Sequence, residues 1–294
     1  MKPFAFVFPG QGSQSVGMLD AWGDNAAVAD TLAEASAALG EDVGRLIREG
    51  PKERLDQTTH TQPAMLAAGI ACYRAWLAET HLAPMAVAGH SLGEYTALVA
   101  AGSLTLADAL PLVRFRAEAM QAAVPVGAGA MAAILGLDAK AVEAGCTEAE
   151  RLTGEPVQAA NYNDPRQTVI AGSTAGVDKA CELLKAAGAK RALLLAVSAP
   201  FHSRLMKPAA DRLRERLATT GLEAPFIPLI DNVDARCETQ TSKIREALYR
   251  QAYGAVRWSD TILAIRARGI DTIVECGPGK VLAGLVKRTL RATA

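Results

Sequence analysis

Aromatic residues are scarce in this chain: they make up 5% of its 294 residues, whereas hydrophobic types together make up 50%. With so few rings, alanine, leucine and valine must fill the core. An excess of one charge is missing as well. Lysine plus arginine and aspartate plus glutamate both number 31, so the chain as a whole offers no basic footprint for nucleic acid or a membrane surface. Cysteine is sparse and unpatterned: Cys72, Cys146, Cys181, Cys237 and Cys276 are odd in number, and none falls in a C-x-x-C pair. That argues against a disulfide framework or a zinc site and predicts a reduced, cytoplasmic protein. No uninterrupted apolar run approaches the roughly 18–20 residues that span a bilayer. The opening MKPFAFVFPGQGSQ lacks the apolar core and small-residue cleavage site of a signal peptide. These absences predict a soluble chain with neither nucleic acid nor membrane among its partners.

What is present is an alternation of short apolar runs and Ala/Leu-rich helical stretches. The length suits one large α/β domain, or a main domain with a smaller one inserted. FAFVF, stopped by Pro9-Gly10, predicts a buried first strand. TQPAMLAAGIACYRAWLAE carries helical spacing, with Pro63 expected in a first turn, where its missing N–H is tolerated. MAVAG predicts a strand and LGEYTALVAA a helix ending at Gly102. TLADALPLVRFRAEAM predicts a further helix with Leu106, Leu110, Val113, Ala117 and Met120 on one face.

From Gly127 the rhythm changes. GAMAAILGL, AKAVEAGCTEAERL, two extended runs around Asn163-Asp164-Pro165, AGVDKACELLKAAG and RALLLAVSA give the order β-α-β-β-α-β, that of a ferredoxin-like unit. The expected architecture is α/β. An α/β-hydrolase-like large domain with a parallel sheet core spans 1–126 and 199–294, and a ferredoxin-like small domain, 127–198, is inserted in it. DTIVECGPGKVLAGLVKR closes the chain as a strand, a Gly-Pro-Gly turn and a helix.

GHSLGEY, residues 89 to 95, carries the chemistry. Gly89-x-Ser91-x-Gly93 follows an apolar strand and opens a helix, the context in which G-x-S-x-G presents a nucleophilic serine. An N-cap serine favours the same residue type. A serine nucleophile needs a base. Of the four histidines, His90 adjoins Ser91 and is expected to brace the loop, and His60 and His81 lie near helix ends in polar surroundings. His202, in VSAPFHS after a strand, stands where the base of an α/β site is expected. The usual orienting acid is missing from the pattern, because none of Asp211, Asp231, Asp234 and Asp260 stands out. GQGSQ lacks the Lys-Ser/Thr of a phosphate loop and the Rossmann spacing.

FPGQGSQ at residues 8–14, GHSLGEY, an arginine-bearing helix, NYNDPRQTVIAG, PFHS and the terminal GPGKVLAGLVKR occur in the order seen in malonyl-CoA:acyl carrier protein transacylases, which the chain resembles over nearly its whole length. The resemblance implies a serine acyltransferase that takes malonyl-CoA and a holo-acyl carrier protein as partners and needs no cofactor or metal. It implies Ser91 as the acylated residue and His202 as base and then acid. The backbone N–H groups of Gln11 and Leu92 become oxyanion donors, and a backbone carbonyl at Gln251 orients the histidine in place of an acid. Malonyl carries a free carboxylate, which a guanidinium binds through two parallel hydrogen bonds. Arg114 and Arg116 both flank the helix's apolar face, and periodicity does not choose between them; the family's arginine matches Arg116. Phe201 resembles the bulky residue of malonyl-selective relatives, and Gln62 matches a pocket position. Asn161 and Asn163 either line the cleft between the domains or make the hairpin turn.

Carrier proteins are generally acidic, so a local basic surface is expected. Lys179, Lys190, Arg191, Arg204, Lys207, Lys287 and Arg288 are its candidates. Three other readings use the same residues: a free-standing acyltransferase serving a polyketide synthase, a serine thioesterase or esterase, and a non-catalytic carrier-binding subunit. The sequence sets no oligomeric state, and a monomer is compatible with it.

Overall fold

The computed structural model describes residues 2–293. Strand β1 (Phe4–Phe8) is buried at all five positions. Successive side chains of a strand point to opposite faces. Phe4, Phe6 and Phe8 therefore share one side, where they meet Tyr73 and Trp76, mostly edge-on, at ring-centroid spacings of 5.2–6.4 Å. Ala5 and Val7 face the other way, into a second cluster with Trp258, Ile262 and Leu285. Five of the chain's 14 aromatic residues thus meet on one side of β1.

Helices α1 (Ala26–Leu39), α2 (Val43–Glu49), α3 (Lys52–Leu55) and α4 (Thr58–Thr80) follow β1. The α4 helix starts earlier than its apolar spacing indicates, so Pro63 lies in its second turn and not its first. The polar stretch Thr58–Thr61 shows no apolar period. It turns helical because the Gln57 carbonyl accepts from His60 and Thr61 N–H at 2.8 Å each. Pro63 then removes only the bond to the Thr59 carbonyl.

Strand β2 (Ala86–Gly89) leads into α5 (Gly93–Ala100) and α6 (Leu106–Ala122). The buried face of α6 includes Leu106, Leu110, Val113, Ala117 and Met120, as their spacing indicates.

Next come β3 (Gly129–Leu135), α7 (Ala139–Thr153), β4 (Val157–Asp164), β5 (Gln167–Ser173), α8 (Thr174–Ala186) and β6 (Arg191–Leu194). Their strands form an antiparallel sheet in the order β4-β5-β3-β6. With α7 and α8 it encloses its own cluster, which includes Ile134, Val142, Ile170 and Leu184. The hairpin turn is Pro165-Arg166, and Asn163 and Asp164 belong to β4.

The chain then forms α9 (Lys207–Thr219), β7 (Leu229–Ile230), α10 (Thr241–Tyr253), α11 (Trp258–Ala267), β8 (Thr272–Glu275) and α12 (Val281–Ala292). Strands β7, β2, β1 and β8, in that order, make a parallel sheet. Apolar clusters lie on both of its faces, as a parallel sheet requires. The small sheet is tied at β4 to the segment between α10 and α11: Val256 donates to the Ala160 carbonyl and Tyr162 to the Val256 carbonyl, each at 2.9 Å. The carboxyl ends of β1 and β2 thereby face β4 and the segment after β6. In open parallel sheets, ligands bind at that end. No helix among the described residues is long and apolar enough to cross a membrane.

Candidate active site

Ser91 stands between the end of β2 and the start of α5 with φ 54°, the left-handed region that few residues other than glycine adopt. A turn this tight leaves no room for side chains beside it. A Cβ on Gly89 would overlap the Gly93 carbonyl, and one on Gly93 would overlap the Phe8 carbonyl. Asn232, just past β7 and 0% exposed, pins the turn from both sides. Its Oδ1 accepts from Ser91 N–H and its Nδ2 donates to the Gly89 carbonyl, both at 2.7 Å.

His202 is buried and also has a positive φ, 59°. Its Nε2 lies 2.7 Å from Ser91 Oγ, and its Nδ1 lies 2.8 Å from the Gln251 main-chain oxygen. Gln251 is in the last turn of α10, where carbonyls lack intrahelical partners and are free to accept from elsewhere. A carbonyl only accepts, so Nδ1 carries the proton and Nε2 is left to accept from the serine hydroxyl. Burial, with the Arg116 guanidinium adding to it, pushes the His202 pKa down to about 3, and the Gln251 carbonyl opposes that shift. The imidazole is thus neutral at pH 7, the form a general base needs.

The downstream aspartates are engaged elsewhere. Asp211 pairs with Lys207, Asp234 with Arg250 and Asp260 with Arg257, and Asp231 accepts from the N–H groups of Val233, Asp234 and Arg236.

The two arginines of α6 part company. Arg114 turns outward and pairs with Glu41. Arg116 is 2% exposed. Its Nη1 donates to Gln62 Oε1 at 2.8 Å, and its Nη2 donates to Gln251 Oε1 at 3.0 Å and to Ser91 Oγ at 3.2 Å. These partners are neutral oxygens. A buried guanidinium without a bonded carboxylate is costly, and an anionic ligand relieves that cost.

Gln11, Gln62, Ser91, Leu92, Arg116 and His202 line one cavity of about 130 Å³. Asn161 and Phe201 line it too, beside an apolar wall that includes Met120, Met131 and Val197. The Gln11 and Leu92 backbone N–H groups donate to no protein acceptor among the described residues. Gly10 lets the Gln11 segment approach the turn, because a Cβ there would meet the His90 carbonyl at 2.5 Å. Two backbone donors, a hydroxyl, a neutral imidazole and a buried cation around one small cavity can form and stabilise an acyl-serine ester.

Asn163 does not line this cavity and does not make the turn. Its Oδ1 lies 2.8 Å from His90 Nε2, which ties β4 to the segment before Ser91. His90 also meets Trp258 edge-on, at 5.3 Å between centroids. His60 is grouped with Arg54 and Glu41, and His81 ends α4 in the left-handed region.

Of the candidate basic residues, Lys179, Arg204, Lys207 and Arg288 are paired with Glu182, Glu150, Asp211 and Asp164. Among the described residues Lys190, Arg191 and Lys287 form no ion pair. Sequence spacing gives no role to Asn232 or to the Glu94 and Gln251 side chains, all buried around Ser91. Asn232 follows an aspartate in an unpatterned loop, so nothing in its neighbourhood signals a role.

The acyl transferase domain model matches residues 5–294. The malonyl CoA-acyl carrier protein transacylase of Escherichia coli K12 is 52% identical over 298 residues, covering 100% of this chain and 96% of that protein. The acyl-carrier-protein S-malonyltransferase of Burkholderia pseudomallei 1710b superposes with a TM-score of 0.96 at 59% identity, over 98% of this chain and 93% of that one. A malonyl-transacylase solved in complex with a type II PKS acyl-carrier protein gives 0.96 at 47% identity, over 99% and 94% of the two chains. The elbow serine, its histidine and the buried arginine thus lie in a chain that belongs, over nearly its full length, to the acyl transferase family and within it to the malonyl CoA-acyl carrier protein transacylases.

Proposed function

We propose that this protein transfers the malonyl group of malonyl-CoA to the phosphopantetheine thiol of a holo-acyl carrier protein, through a malonyl ester of Ser91. The observation that carries the reading is the position of Ser91 Oγ, within hydrogen-bond distance of both His202 Nε2 and the buried Arg116 Nη2. Arg116 holds the malonyl carboxylate through paired N–H donors. Ser91 Oγ attacks the thioester carbonyl while His202 Nε2 takes its proton. The oxyanion forms against the Gln11 and Leu92 N–H groups. The C–S bond then breaks, and coenzyme A leaves as a thiol with the proton from His202. In the second half, His202 takes the proton of the carrier's thiol and the sulfur attacks the ester. Ser91 leaves with that proton, so the enzyme ends as it began.

Nothing in this sequence of steps calls for a metal or a redox cofactor. Phe201, in the cavity wall, crowds an α-methyl branch, a discrimination worth about 1–3 kcal/mol. Asn161 is a further wall contact, and Gln62 holds Arg116. Residues 1–126 and 199–294 make the catalytic domain, with 127–198 as the small domain over it, and the cytoplasm is where both substrates are met. Unpaired Lys190, Arg191 and Lys287 are available to an acidic carrier.

The test follows both products with purified holo-carrier protein and malonyl-CoA. Malonyl-carrier formed in step with coenzyme A release supports transfer. Free malonate in step with coenzyme A, and no acylated carrier, identifies a hydrolase. Comparing fatty-acid and polyketide carriers as acceptors assigns the pathway served.

A further inference from the structure

Glu94, in the first turn of α5, takes part in none of these steps, yet it is 1% exposed and lies directly behind the nucleophile. Its Oε2 accepts from Gln251 Nε2 at 2.9 Å and from the Asn232 backbone N–H at 3.2 Å. Those two residues hold the site together. Gln251 Nε2 also donates to the Ser91 carbonyl at 2.9 Å, Gln251 Oε1 accepts from Arg116, and its main-chain oxygen accepts from His202. Asn232 fixes the turn on both sides of Ser91.

A carboxamide has donors on one end and an acceptor on the other, and its neighbours decide which end points where. Gln251 Nε2 donates to the Ser91 carbonyl and Glu94 Oε2 at 2.9 Å each, with Asn232 Oδ1 a longer third acceptor at 3.4 Å. That leaves Oε1 to face the guanidinium. Without Glu94 one of those donors keeps only the long contact to Asn232 Oδ1, and the amide is free to tilt away from Arg116.

We propose that Glu94 is a positioning residue: by holding the Gln251 carboxamide and Asn232, it sets where the Arg116 guanidinium stands relative to Ser91, and so the preference for carboxylated acyl groups. The inference rests on the malonyl-transfer reading. The charged groups around Glu94 are the Arg116 guanidinium and the Asp231 carboxyl. Burial, helped by Asp231, pushes the Glu94 pKa up to about 8, so the acid is largely neutral at pH 7 and leaves the Arg116 charge for the substrate.

The experiment measures kcat/KM for malonyl-CoA and for acetyl-CoA, which lacks the carboxylate, on wild type, Glu94→Ala and Glu94→Gln. Each malonyl-to-acetyl ratio comes from one preparation, so a loss of folded protein cancels. The ratio falls about ten-fold or more in Glu94→Ala, and Glu94→Gln, which keeps an acceptor oxygen in place, restores it to within about three-fold of wild type. If Glu94→Ala yields no folded protein, Glu94→Asp, with its carboxyl drawn back by one methylene, gives the same reading. In a Gln251→Ala background, removing Glu94 lowers the ratio no further. An unchanged ratio in Glu94→Ala, or an undiminished loss in the Gln251→Ala background, overturns the inference. A wild type that transfers no malonyl overturns the proposed function instead.

Discussion

The Nδ1 of His202 and the main-chain oxygen of Gln251 stand 2.8 Å apart, so a helix-terminal carbonyl occupies the position that an acid fills in a serine triad. The carbonyl fixes the tautomer as a carboxylate does, but it brings no full negative charge to stabilise an imidazolium. With the ring buried and the Arg116 cation nearby, the neutral form is strongly favoured.

That preference has a pH signature. The unfolded chain protonates this histidine near pH 6.5, whereas the folded chain does so only near pH 3. Between those values the unfolded state holds more protons. The stability associated with His202 is therefore complete above pH 6.5 and is lost as pH falls through the window, by about 1.4 kcal/mol per unit. Urea melts of wild type and His202→Asn between pH 7 and 4.5 check this, with wild type losing ground to the variant as pH drops. The comparison with the variant is needed because Glu94, raised to about 8, contributes an opposite slope. In the same range, kcat/KM of the free enzyme shows no acid limb near pH 6.5.

Arg116→Lys tests the carboxylate handle. Lysine keeps the charge but cannot supply parallel donors, and it leaves Gln62 or Gln251 without a partner. The expected loss in kcat/KM for malonyl-CoA is about 2–3 kcal/mol, or roughly 30- to 150-fold. Acetyl-CoA turnover changes much less. Steady-state kinetics with both thioesters separates the two effects.

Asn232→Ala removes the acceptor for Ser91 N–H and the donor to the Gly89 carbonyl, and leaves both backbone groups buried. Destabilisation of about 2–3 kcal/mol follows, seen as a lower urea midpoint at unchanged m-value. Acylation slows as well, because the left-handed conformation at Ser91 loses its tether.

Much of this was readable from the chain. Apolar runs and helical spacing located every strand but the two-residue β7, together with the buried face of α6, and the β-α-β-β-α-β order anticipated the second sheet. Local patterns reach their limit where a contact joins distant segments. Spacing left Arg114 and Arg116 equivalent, and only the approach of Glu41 to one and of Gln62 and Gln251 to the other separates them. Asn163 lies beside the hairpin turn but reaches His90 across 73 positions of sequence. Asn232 and the Gln251 side chain carry no motif, because their roles are set by where β7 and α10 end in space.

The most direct measurement is the intact mass of wild type and Ser91→Ala after brief mixing with malonyl-CoA, before and after holo-carrier protein is added. The expected result is a malonyl adduct on wild type alone that moves to the carrier. An adduct of equal size on Ser91→Ala, or carrier acylation by that variant at the wild-type rate, would contradict a mechanism that passes through Ser91.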